Sequence, residues 1–455
     1  HGNSLIGVGL LIEIEDKVRE EGLALFQVKA ADLIGDASAA LKRLGQLADA
    51  TPEELKEARQ AWVDADKATS PARAMCDILT AARIEGIDIP LNFTRWEKWK
   101  HQVVGGKEHV HAMQVLQGVN QLHFPVVFPE VFLRDRSGFD VMLGNPPWEE
   151  ARVEEKGFWA RHFPGLRGYS QRVRKQKTEE LIKIRPDLVK KYNEEIRQAS
   201  MTRSALLAGG FPGMGTSDPD MYKAFLWRFW KLVVREGGQI GVVVPRSALA
   251  AKGSELFRKM VFKNAIEIHA TTLQNSSRWV FDMEPRYTVA LVTIKSDANK
   301  NTSVYLRGPY NSYDNYIQGL HLESALFTGD EILKWNDSAA LPLLPDHTSI
   351  EVFRQLRNSP RLDSREPIEW YFRPYGELHS GSAQSLMDLE SEECPKGYWP
   401  VYKGASFDLW SADTGKYYGW ADPDIVTPVL QDRRIRGNSS TKSVYSECNH
   451  RWCKD

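Results

Sequence analysis

Short apolar runs separated by stretches of helical periodicity dominate the middle of the chain. Residues 138–143 form one run that begins at a glycine and is apolar apart from Asp140, and residues 240–244 form a second that is closed by Pro245. Runs of this length without polar alternation are typical of buried parallel strands. We predict two further strands at residues 266–270 and 288–294, with helices between the strands. The pattern therefore predicts an α/β sheet.

The regions on either side of the predicted sheet have a different pattern. Residues 13–121 are rich in amphipathic helical stretches and predict a helical insertion. Within them, Thr51 and Glu54 form a capping box with Pro52 at the first helical position. After residue 345 the chain is rich in aromatic, Gly, Ser and Asp residues, which indicates a separate region of α+β or mainly β structure. Most of its aromatic rings are expected to fill a small core.

Composition narrows the class of protein. The chain has 455 residues, which predicts two or three domains. Its 59 basic and 60 acidic residues give a net charge of -1, which excludes a globally basic nucleic-acid binder but allows a local basic face. No apolar run approaches the ~18 residues of a membrane helix. With only four cysteines, a cytoplasmic protein from a reducing compartment is expected.

The strongest chemical signal is Asn145-Pro146-Pro147-Trp148, which directly follows the first predicted strand. In an open α/β sheet, ligands bind beyond the carboxyl ends of the strands. Two prolines stiffen the loop and remove two N–H donors, while the Asn side chain and the Pro146 carbonyl offer acceptors. Two acceptors beside an aromatic ring suit the amino group of a flipped-out adenine, with Trp148 stacked on the base.

This tetrapeptide resembles motif IV of amino-directed methyltransferases that use S-adenosylmethionine. Asn with Trp is similar to the adenine-N6 enzymes of type IIG restriction–modification and of phage defence of the BREX or DISARM kind. Further stretches also resemble the family. Motif III is resembled by residues 1–5, the approach to motif IV by residues 128–140, and the helix and strand after it by residues 218–225 and 237–245. Motif VIII is resembled by residues 286–287, and the start of the DNA-reading region by residues 400–404.

The resemblance implies a fold, a cofactor and a division of the chain. It implies a partial Rossmann-like class I methyltransferase sheet that binds S-adenosylmethionine, with Asn3 beside the cofactor. Residues 1–12 would end the cofactor half, 13–121 would be the helical insertion, and 122–345 would be the catalytic core with a helical insert at 149–217. Residues 346–455 would begin the target-recognition domain.

The family's glycine-rich turn and the acidic residue that ends its second strand do not occur before Asn145. In the family's order both precede residue 1, so we expect the natural polypeptide to extend upstream. The strand that should pair with residues 138–143 would then be missing, leaving an apolar edge exposed. Such a chain is expected to bind S-adenosylmethionine poorly.

Double-stranded DNA is the expected partner, together with other subunits of a defence system and no membrane. Basic residues and one tyrosine are the candidates for DNA contacts: Arg172, Arg174, Lys175, Arg286, Tyr287, Lys403, Arg433, Arg434 and Arg436. Cys448, His450 and Cys453 lack a second ligand pair at zinc spacing, so we predict reduced cysteines and no metal site.

Two other functions are compatible with the same motif. Enzymes that methylate a protein glutamine or an RNA base also use Asn-Pro-Pro-aromatic, but they lack a long C-terminal region like residues 346–455. Alternatively, the chain is a DNA-recognition module of a defence complex that keeps the corner without catalysis. The leading hypothesis remains sequence-specific methylation of adenine N6 in DNA.

Overall fold

A computed structural model describes residues 2–14, 16, 51–87, 102–208, 210–215, 219–297, 301–344, 349–361, 378, 379, 381 and 383–438. The chain divides into two compact units, residues 1–354 and 355–455. The first unit has a six-stranded mixed sheet with many helices, so the α/β prediction is confirmed. None of the helices in the described part of the chain has both the length and the apolarity needed to cross a bilayer.

The α-helices are α1 Pro52–Glu85, α2 Lys107–Val115, α3 Phe124–Val127, α4 Pro129–Phe132, α5 Glu155–His162, α6 Gln171–Ile184, α7 Pro186–Leu207, α8 Met221–Leu232, α9 Ser247–Ala250, α10 Glu255–Asn264, α11 Tyr313–Gly319, α12 Gly329–Trp335, α13 Ser349–Arg357 and α14 Pro423–Asn438. The strands are β1 Val141–Gly144, β2 Gln239–Pro245, β3 Ala265–Gln274, β4 Thr288–Ser296, β5 Ser303–Tyr310, β6 Ala325–Thr328, β7 Trp399–Tyr402 and β8 Tyr417–Ala421. Short 3₁₀ turns occur at Pro164–Gly168, Lys252–Ser254, Ser276–Arg278, Gln384–Leu386 and Gly404–Ser406.

The order of strands in the large sheet is β1-β2-β4-β3-β5-β6. β1 pairs parallel with β2, and β3 pairs parallel with β5. β4 lies between β2 and β3 and is antiparallel to both, and β6 is antiparallel to β5. Strands β1, β2, β3 and β5 therefore run in one direction, and their carboxyl ends meet at one end of the sheet. The strands predicted at 266–270 and 288–294 are confirmed as β3 and β4, whereas β5 and β6 were not predicted.

We predicted a buried strand at residues 138–143. The strand is present as β1, but it is not buried. β1 has β2 as its only strand neighbour among the described residues. Val141 is 61% exposed and Leu143 is 83% exposed. Their apolar character would suit a strand with neighbours on both sides, and here one side is open. The expected exposed apolar edge is therefore present.

The main core lies between the sheet and helices α8, α10 and α12. Alternate residues of β2, namely Ile240, Val242 and Val244, enter it, as do Phe229 of α8 and Phe262 of α10. A second cluster is centred on the middle of α1 around Met75 and Cys76, packed with α2. A third joins Phe158 and Trp159 of α5 to Leu166 and Leu188.

Helix α1 confirms the predicted capping box. The Thr51 hydroxyl accepts a hydrogen bond from the Glu54 backbone N–H, and the Glu54 carboxylate accepts one from the Thr51 backbone N–H. The helix ends at Gly86, which adopts φ 66°, a left-handed conformation that costs glycine little. Most of the predicted helical stretch before Thr51 lies outside the described residues.

The second unit has two strands and one long helix in its described part. β7 and β8 pair antiparallel, and Tyr402 and Tyr417 both donate hydrogen bonds to the Asp413 carboxylate. Its bond to Asp413 raises the pKa of Tyr417 to about 12, because the bond stabilises the protonated phenol. The prediction that most aromatic rings here are core is wrong for the described ones. Trp410 is 94% exposed, and Trp399, Tyr402 and Phe407 are also exposed; a two-stranded sheet is too small to cover them.

We expect the open edge of β1 to make the chain self-associate, because unpaired strand groups beside apolar side chains template pairing with another chain. Leu143→Lys should suppress this association and change the melting temperature little, since its side chain is almost fully exposed. Leu256→Lys on α10, also an exposed leucine, is the matched control. Sedimentation velocity across a concentration series measures the effect; equal association of both variants and the wild type would contradict it.

Candidate functional site

Loops that follow β1, β2, β3 and β5 lie at the same end of the sheet. Asn145 follows β1, Arg246 follows β2 and Asn275 follows β3. The parallel register pairs Gly144 with Val242, so the chain after β1 begins beside the last residues of β2. Because ligands bind in α/β sheets beyond the carboxyl ends of strands, this end is the candidate site.

The corner formed by residues 145–148 is open to solvent on one side. Asn145 and Pro147 are exposed, Pro146 is buried and Trp148 is half-buried. Among the described residues, neither the Asn145 side chain nor the Pro146 carbonyl has a hydrogen-bond partner. The end of β1, directly before the corner, packs closely against α8. A Cβ on Gly144 would lie only 3.1 Å from the Phe229 ring. The corner thus has two acceptors without a partner among the described residues, one on exposed Asn145 and one on buried Pro146.

Trp148 fixes the corner to the sheet. Its indole Nε1 donates a hydrogen bond of 3.3 Å to the Val243 carbonyl of β2. Its ring also meets Phe281 edge to face, with centroids 6.2 Å apart and planes at 86°. The ring is packed partly against the main core and is not enclosed by it. Its position therefore depends on both β2 and the loop that contains Phe281.

The connection between β3 and β4 is organised by Asn275, which is completely buried. Its side-chain carbonyl accepts from the backbone N–H groups of Val280 and Phe281 at 3.1 Å, and its amide donates to the Phe281 carbonyl at 2.9 Å. Its own backbone N–H donates to the Tyr287 carbonyl at 3.0 Å. One buried side chain thus sets the shape of the loop that contacts Trp148.

Arg286 and Tyr287 lie at the end of this same loop, so the structure brings the region of the motif VIII resemblance to the corner's side of the sheet. The Arg286 side chain is 87% exposed, and its Nε donates to Glu284 Oε1 at 3.0 Å. Tyr287 is about half exposed. Both side chains are accessible to a ligand approaching this end of the sheet.

Asn3 lies in a turn of the segment 2–14. Its side-chain carbonyl accepts from the backbone N–H groups of Leu5 and Ile6, at 3.1 and 3.3 Å. The residue also forms an isolated parallel bridge with Gln121. The Asn3 oxygen is therefore committed to its own turn, and only the amide hydrogens remain for a ligand.

A buried ionic cluster attaches this segment to the rest of the unit. Arg228 of α8 is 3% exposed and donates to the carbonyls of Leu5 and Gly7 at 3.1 Å each. Its Nη1 lies 3.8 Å from Glu13 Oε1, while Arg83 of α1 contacts Glu13 Oε2 at 2.7 Å. Burial lowers the pKa of Arg228 to about 10, an effect that Glu13 opposes.

The same surroundings shift the pKa of the Glu13 carboxyl. Burial alone would raise the pKa of its carboxyl, but Arg83 and Arg228 outweigh that effect and hold the pKa below its usual value. The carboxylate is therefore charged at neutral pH. A side chain at Gly9 would displace the Arg228 guanidinium, because its Cβ would fall 2.0 Å from Arg228 Nη1.

The other candidate DNA-contacting residues lie on separate elements. Arg172 and Lys175 are exposed on α6 and Arg174 is half-buried there; this helix packs against α7. In the second unit, Lys403 is exposed after β7.

Arg433, Arg434 and Arg436 were expected in a polar, glycine-flanked stretch. They lie instead on helix α14. All three have interaction partners, and Arg436 forms an ion pair with Asp432. Apolar residues of that helix such as Val426, which is 1% exposed, explain why it forms. Cys448, His450 and Cys453 lie outside the described residues.

Sequence reasoning missed Asn275 and Arg246. The signal available in the sequence was the position of Asn275, directly after an apolar strand and before a loop that contains aromatic residues. Arg246 directly follows the apolar run of β2; its backbone N–H donates to the Thr288 carbonyl of β4. In the part of the chain that the structure describes, its half-buried guanidinium has no hydrogen-bond or ion-pair partner. Across that same part, no group of His, Cys, Asp and Glu residues could hold a metal ion.

No protein-family model matches the chain, and no curated protein matches it. Among solved structures it is similar to the methyltransferase subunit of a type I restriction-modification system from Streptococcus thermophilus, at 12% identity over 73% of this chain and 80% of that chain, with a TM-score of 0.27. It is similar to a modification subunit of a putative type I restriction enzyme from Vibrio vulnificus YJ016, at 14% identity over 68% of each chain and a TM-score of 0.28.

A third similar structure is the ATP-dependent Type ISP restriction-modification enzyme LlaBIII bound to DNA. Identity is 12% over 46% of this chain, and the TM-score is 0.26. The chain spans 13% of that enzyme's length and 20% of the length of the DrdV protein in its DNA complex. The structural neighbours are thus restriction-modification proteins and modification subunits, at low identity and low TM-score.

Arg228→Met should destabilise the first unit by about 3–5 kcal/mol, because Glu13 loses its buried partner, keeping only half-buried Arg83, and two carbonyls lose their donor. Arg235→Met, at an exposed arginine just after α8, should be nearly neutral. Urea denaturation of both variants measures the difference. A loss below about 1 kcal/mol in Arg228→Met would contradict the structural role.

The cluster also predicts a pH dependence. The folded-state pKa of Glu13 lies below its usual value of 4.5, so its stabilising effect is present above about pH 4.5 and is lost as the pH falls through the folded pKa. Glu13→Gln should be less stable than wild type at pH 7, and the gap should narrow on acidification. Thermal melting between neutral and acid pH gives the two curves.

Proposed function

We propose that the chain forms the catalytic and DNA-reading part of a DNA methyltransferase that acts on adenine N6 in a restriction–modification or phage-defence system. The observation that carries the proposal is the exposed corner at residues 145–148. It is stiff, it offers free acceptors and it lies at the carboxyl ends of two parallel strands.

The corner matches the chemistry of an aromatic amine. An adenine amino group has two N–H donors, and its nitrogen is a poor nucleophile because its lone pair is delocalised into the ring. Asn145 Oδ1 and the Pro146 carbonyl would each accept one N–H, which favours a pyramidal and more nucleophilic nitrogen. Pro147 has no N–H that could compete for these acceptors. Positioning is therefore the main contribution of these residues.

Trp148 and the neighbouring loop would hold the base. The amino group of adenine is paired inside a duplex, so the base must leave the helix before the corner can reach it. Trp148 is the ring nearest the two acceptors in sequence, and it is partly open to solvent. Arg286 and Tyr287 end the loop that contacts Trp148 and are exposed beside this end of the sheet. They are suited to contact the phosphates or the displaced strand.

Residues 122–345 would be the catalytic core, with a helical insert at 149–217, and residues 13–121 a helical arm. Residues 346–455 would begin target recognition. Exposed rings in that region, including Trp399, Phe407 and Trp410, together with Lys403, suit stacking on bases and contact with phosphate. Arg172, Arg174 and Lys175 of α6 are further candidates for phosphate contacts.

S-adenosylmethionine would supply the methyl group. The residues present fit only part of such a site: the Asn3 carbonyl is committed to its own turn, which leaves amide hydrogens for the cofactor. No glycine-rich turn with a following acid precedes Asn145 in the sequence. The open edge of β1 is where a further parallel strand would complete the sheet, and residues 1–12 would be the end of the cofactor half.

Asn145→Ala should abolish methylation and leave DNA binding within about twofold, because the side chain is exposed and bonded to nothing in the described part of the chain. The gene is expressed in a host with the wild-type residue or the variant, and modified bases are mapped in genomic DNA. Wild type should give N6-methyladenine at one sequence motif, and the variant should give none. Asn193→Ala, at an exposed position of α7, is the matched control and should retain the mark.

The same experiment separates the alternatives. Retained methylation in Asn145→Ala would remove the mechanism. DNA binding by the purified chain without any methylation in cells would favour a non-catalytic recognition module. Methylation of RNA or of a protein glutamine in place of DNA would overturn the substrate.

The purified 455-residue chain should bind S-adenosylmethionine weakly, because its residues form only one side of the cofactor site. We expect no heat of binding at micromolar concentration in a calorimetric titration, with S-adenosylhomocysteine as a second probe. Micromolar affinity for either compound would show that the chain holds the cofactor without a further half.

A further inference from the structure

A second cavity lies at the same end of the sheet, beside the ends of β2, β3 and β5. Its volume is about 450 Å³, within the range of roughly 300–1,000 Å³ typical of small-molecule sites. None of the four corner residues 145–148 lines it. Leu249, Leu306 and Leu341 supply apolar walls, and helix α11 borders the opening. The cavity is therefore distinct from the corner, although both lie at the same end of the sheet.

The charged groups of this cavity favour an anion. Arg246 and Arg307 line it against a single acid, Glu323. Arg307 is held in place, since its Nε donates to Ser324 Oγ at 2.7 Å and its Nη1 donates to the Leu320 carbonyl at 2.9 Å. The half-buried Arg246 has no such partner among the described residues. An unpaired guanidinium in a cavity is a natural partner for phosphate oxygens, which it can bind in bidentate fashion.

The remaining polar lining suits a nucleobase. Tyr310 contributes an aromatic ring, and Asn311, Asn315 and Gln318 contribute side-chain amides, which offer both donors and acceptors. The Asn315 amide is already oriented, because its Nδ2 donates to Asn311 Oδ1 at 2.6 Å. Aromatic rings stack on bases, and amides pair with base edges.

The position of Tyr310 depends on a glycine. A Cβ on Gly319 of α11 would lie 2.2 Å from atoms of the Tyr310 ring. The absence of a side chain at that position lets the ring lie directly against the helix. The ring is also braced by Tyr316, with centroids 5.9 Å apart. The aromatic wall is therefore built by close packing and is not an incidental surface ring.

We propose that this cavity binds a single nucleotide, with its phosphate on Arg246 and its base beside Tyr310 and the three amides. The ligand is either a free mononucleotide or one nucleotide displaced from a DNA strand, since both offer the same base and phosphate. The assignment goes beyond methyl transfer and does not depend on it.

The test uses a fluorescent probe in two forms. 2-Aminopurine deoxyriboside 5′-monophosphate represents the free nucleotide, and a duplex with one unpaired 2-aminopurine represents the displaced one. Anisotropy or fluorescence change upon titration with the 455-residue chain gives the affinity for each. Binding of the monophosphate identifies a free-nucleotide site, and binding of the duplex probe alone identifies a site for DNA.

Two variants and two matched controls locate the probe. Arg246→Gln should weaken binding at least tenfold, whereas Arg235→Gln, the same change at an exposed arginine before β2, should not. Gln318→Trp should block the cavity from its rim on α11, whereas Ile317→Trp on the same helix, at a residue that does not line the cavity, should not. Thermal melts confirm that all four variants are folded.

The phosphate contact has its own control. The 2-aminopurine deoxyriboside without phosphate should bind wild type as weakly as Arg246→Gln binds the monophosphate, and Arg246→Gln should not weaken the nucleoside further. The inference is overturned if wild type binds neither probe, if Arg246→Gln and Arg235→Gln behave alike, or if excess S-adenosylmethionine displaces the nucleotide. Because Asn145→Ala should bind the probes like wild type, failure of this site and failure of methyl transfer are separable.

Discussion

The candidate site depends on one parallel pairing, that of β1 with β2. Four residue pairs, from Val141 with Gln239 to Gly144 with Val242, join the two strands. A separate parallel bridge precedes β1, where the Phe139 N–H donates to the Leu232 carbonyl at 2.8 Å and the Phe139 carbonyl accepts from the Val234 N–H at 2.9 Å, just after α8. Gly138 permits this approach, since it adopts φ 117° and its Cβ would lie 2.8 Å from the Leu232 carbonyl.

This pairing determines where the corner lies and how firmly it is held. β1 has one strand neighbour in the described structure, so every ladder hydrogen bond that positions Asn145 comes from β2. Trp148 adds a second attachment to the same strand, three residues beyond Asn145. Two prolines between these attachments leave few backbone torsions free. The corner is thus rigid where its acceptors are presented, although the strand before it has an open side.

The sequence predicted the features that depend on local chemistry. The capping box of α1 follows from Thr51, Pro52 and Glu54, which act within one turn. The strands at 240–244 and 288–294 follow from apolar runs, and each has a strand on both sides in the sheet. The burial of β1 could not be predicted, because it depends on which strand lies beside it. An apolar run also carries no information on direction, so the antiparallel placement of β4 between β2 and β3 was not foreseen.

In the candidate site, too, the local features could be predicted and the contacts between distant residues could not. The acceptor chemistry of residues 145–148 is local, and its place after a strand followed from the pattern. Its contact with Phe281 joins residues more than 100 positions apart, whereas Asn275 shapes the loop through residues close to it in the sequence. The helix that carries Arg433 was not predicted, because the sequence there was interpreted as a polar, glycine-flanked stretch. Its formation rests on tertiary burial of residues such as Val426.

The acceptors of the corner and the two arginines that line the cavity lie on different strands, and this separation has a chemical consequence. The corner after β1 has neutral acceptors, whereas the cations Arg246 and Arg307 lie after β2 and on β5. A guanidinium within reach of Asn145 would donate to its carbonyl and remove the acceptor from use. No such bond forms among the described residues. Keeping these two cations on neighbouring strands leaves the corner free to accept from an amine, while an anion can be bound in the cavity that the arginines line. One end of the sheet can therefore bind a hydrogen-bond donor at the corner and an anion in the cavity, without an arginine occupying the acceptor of Asn145.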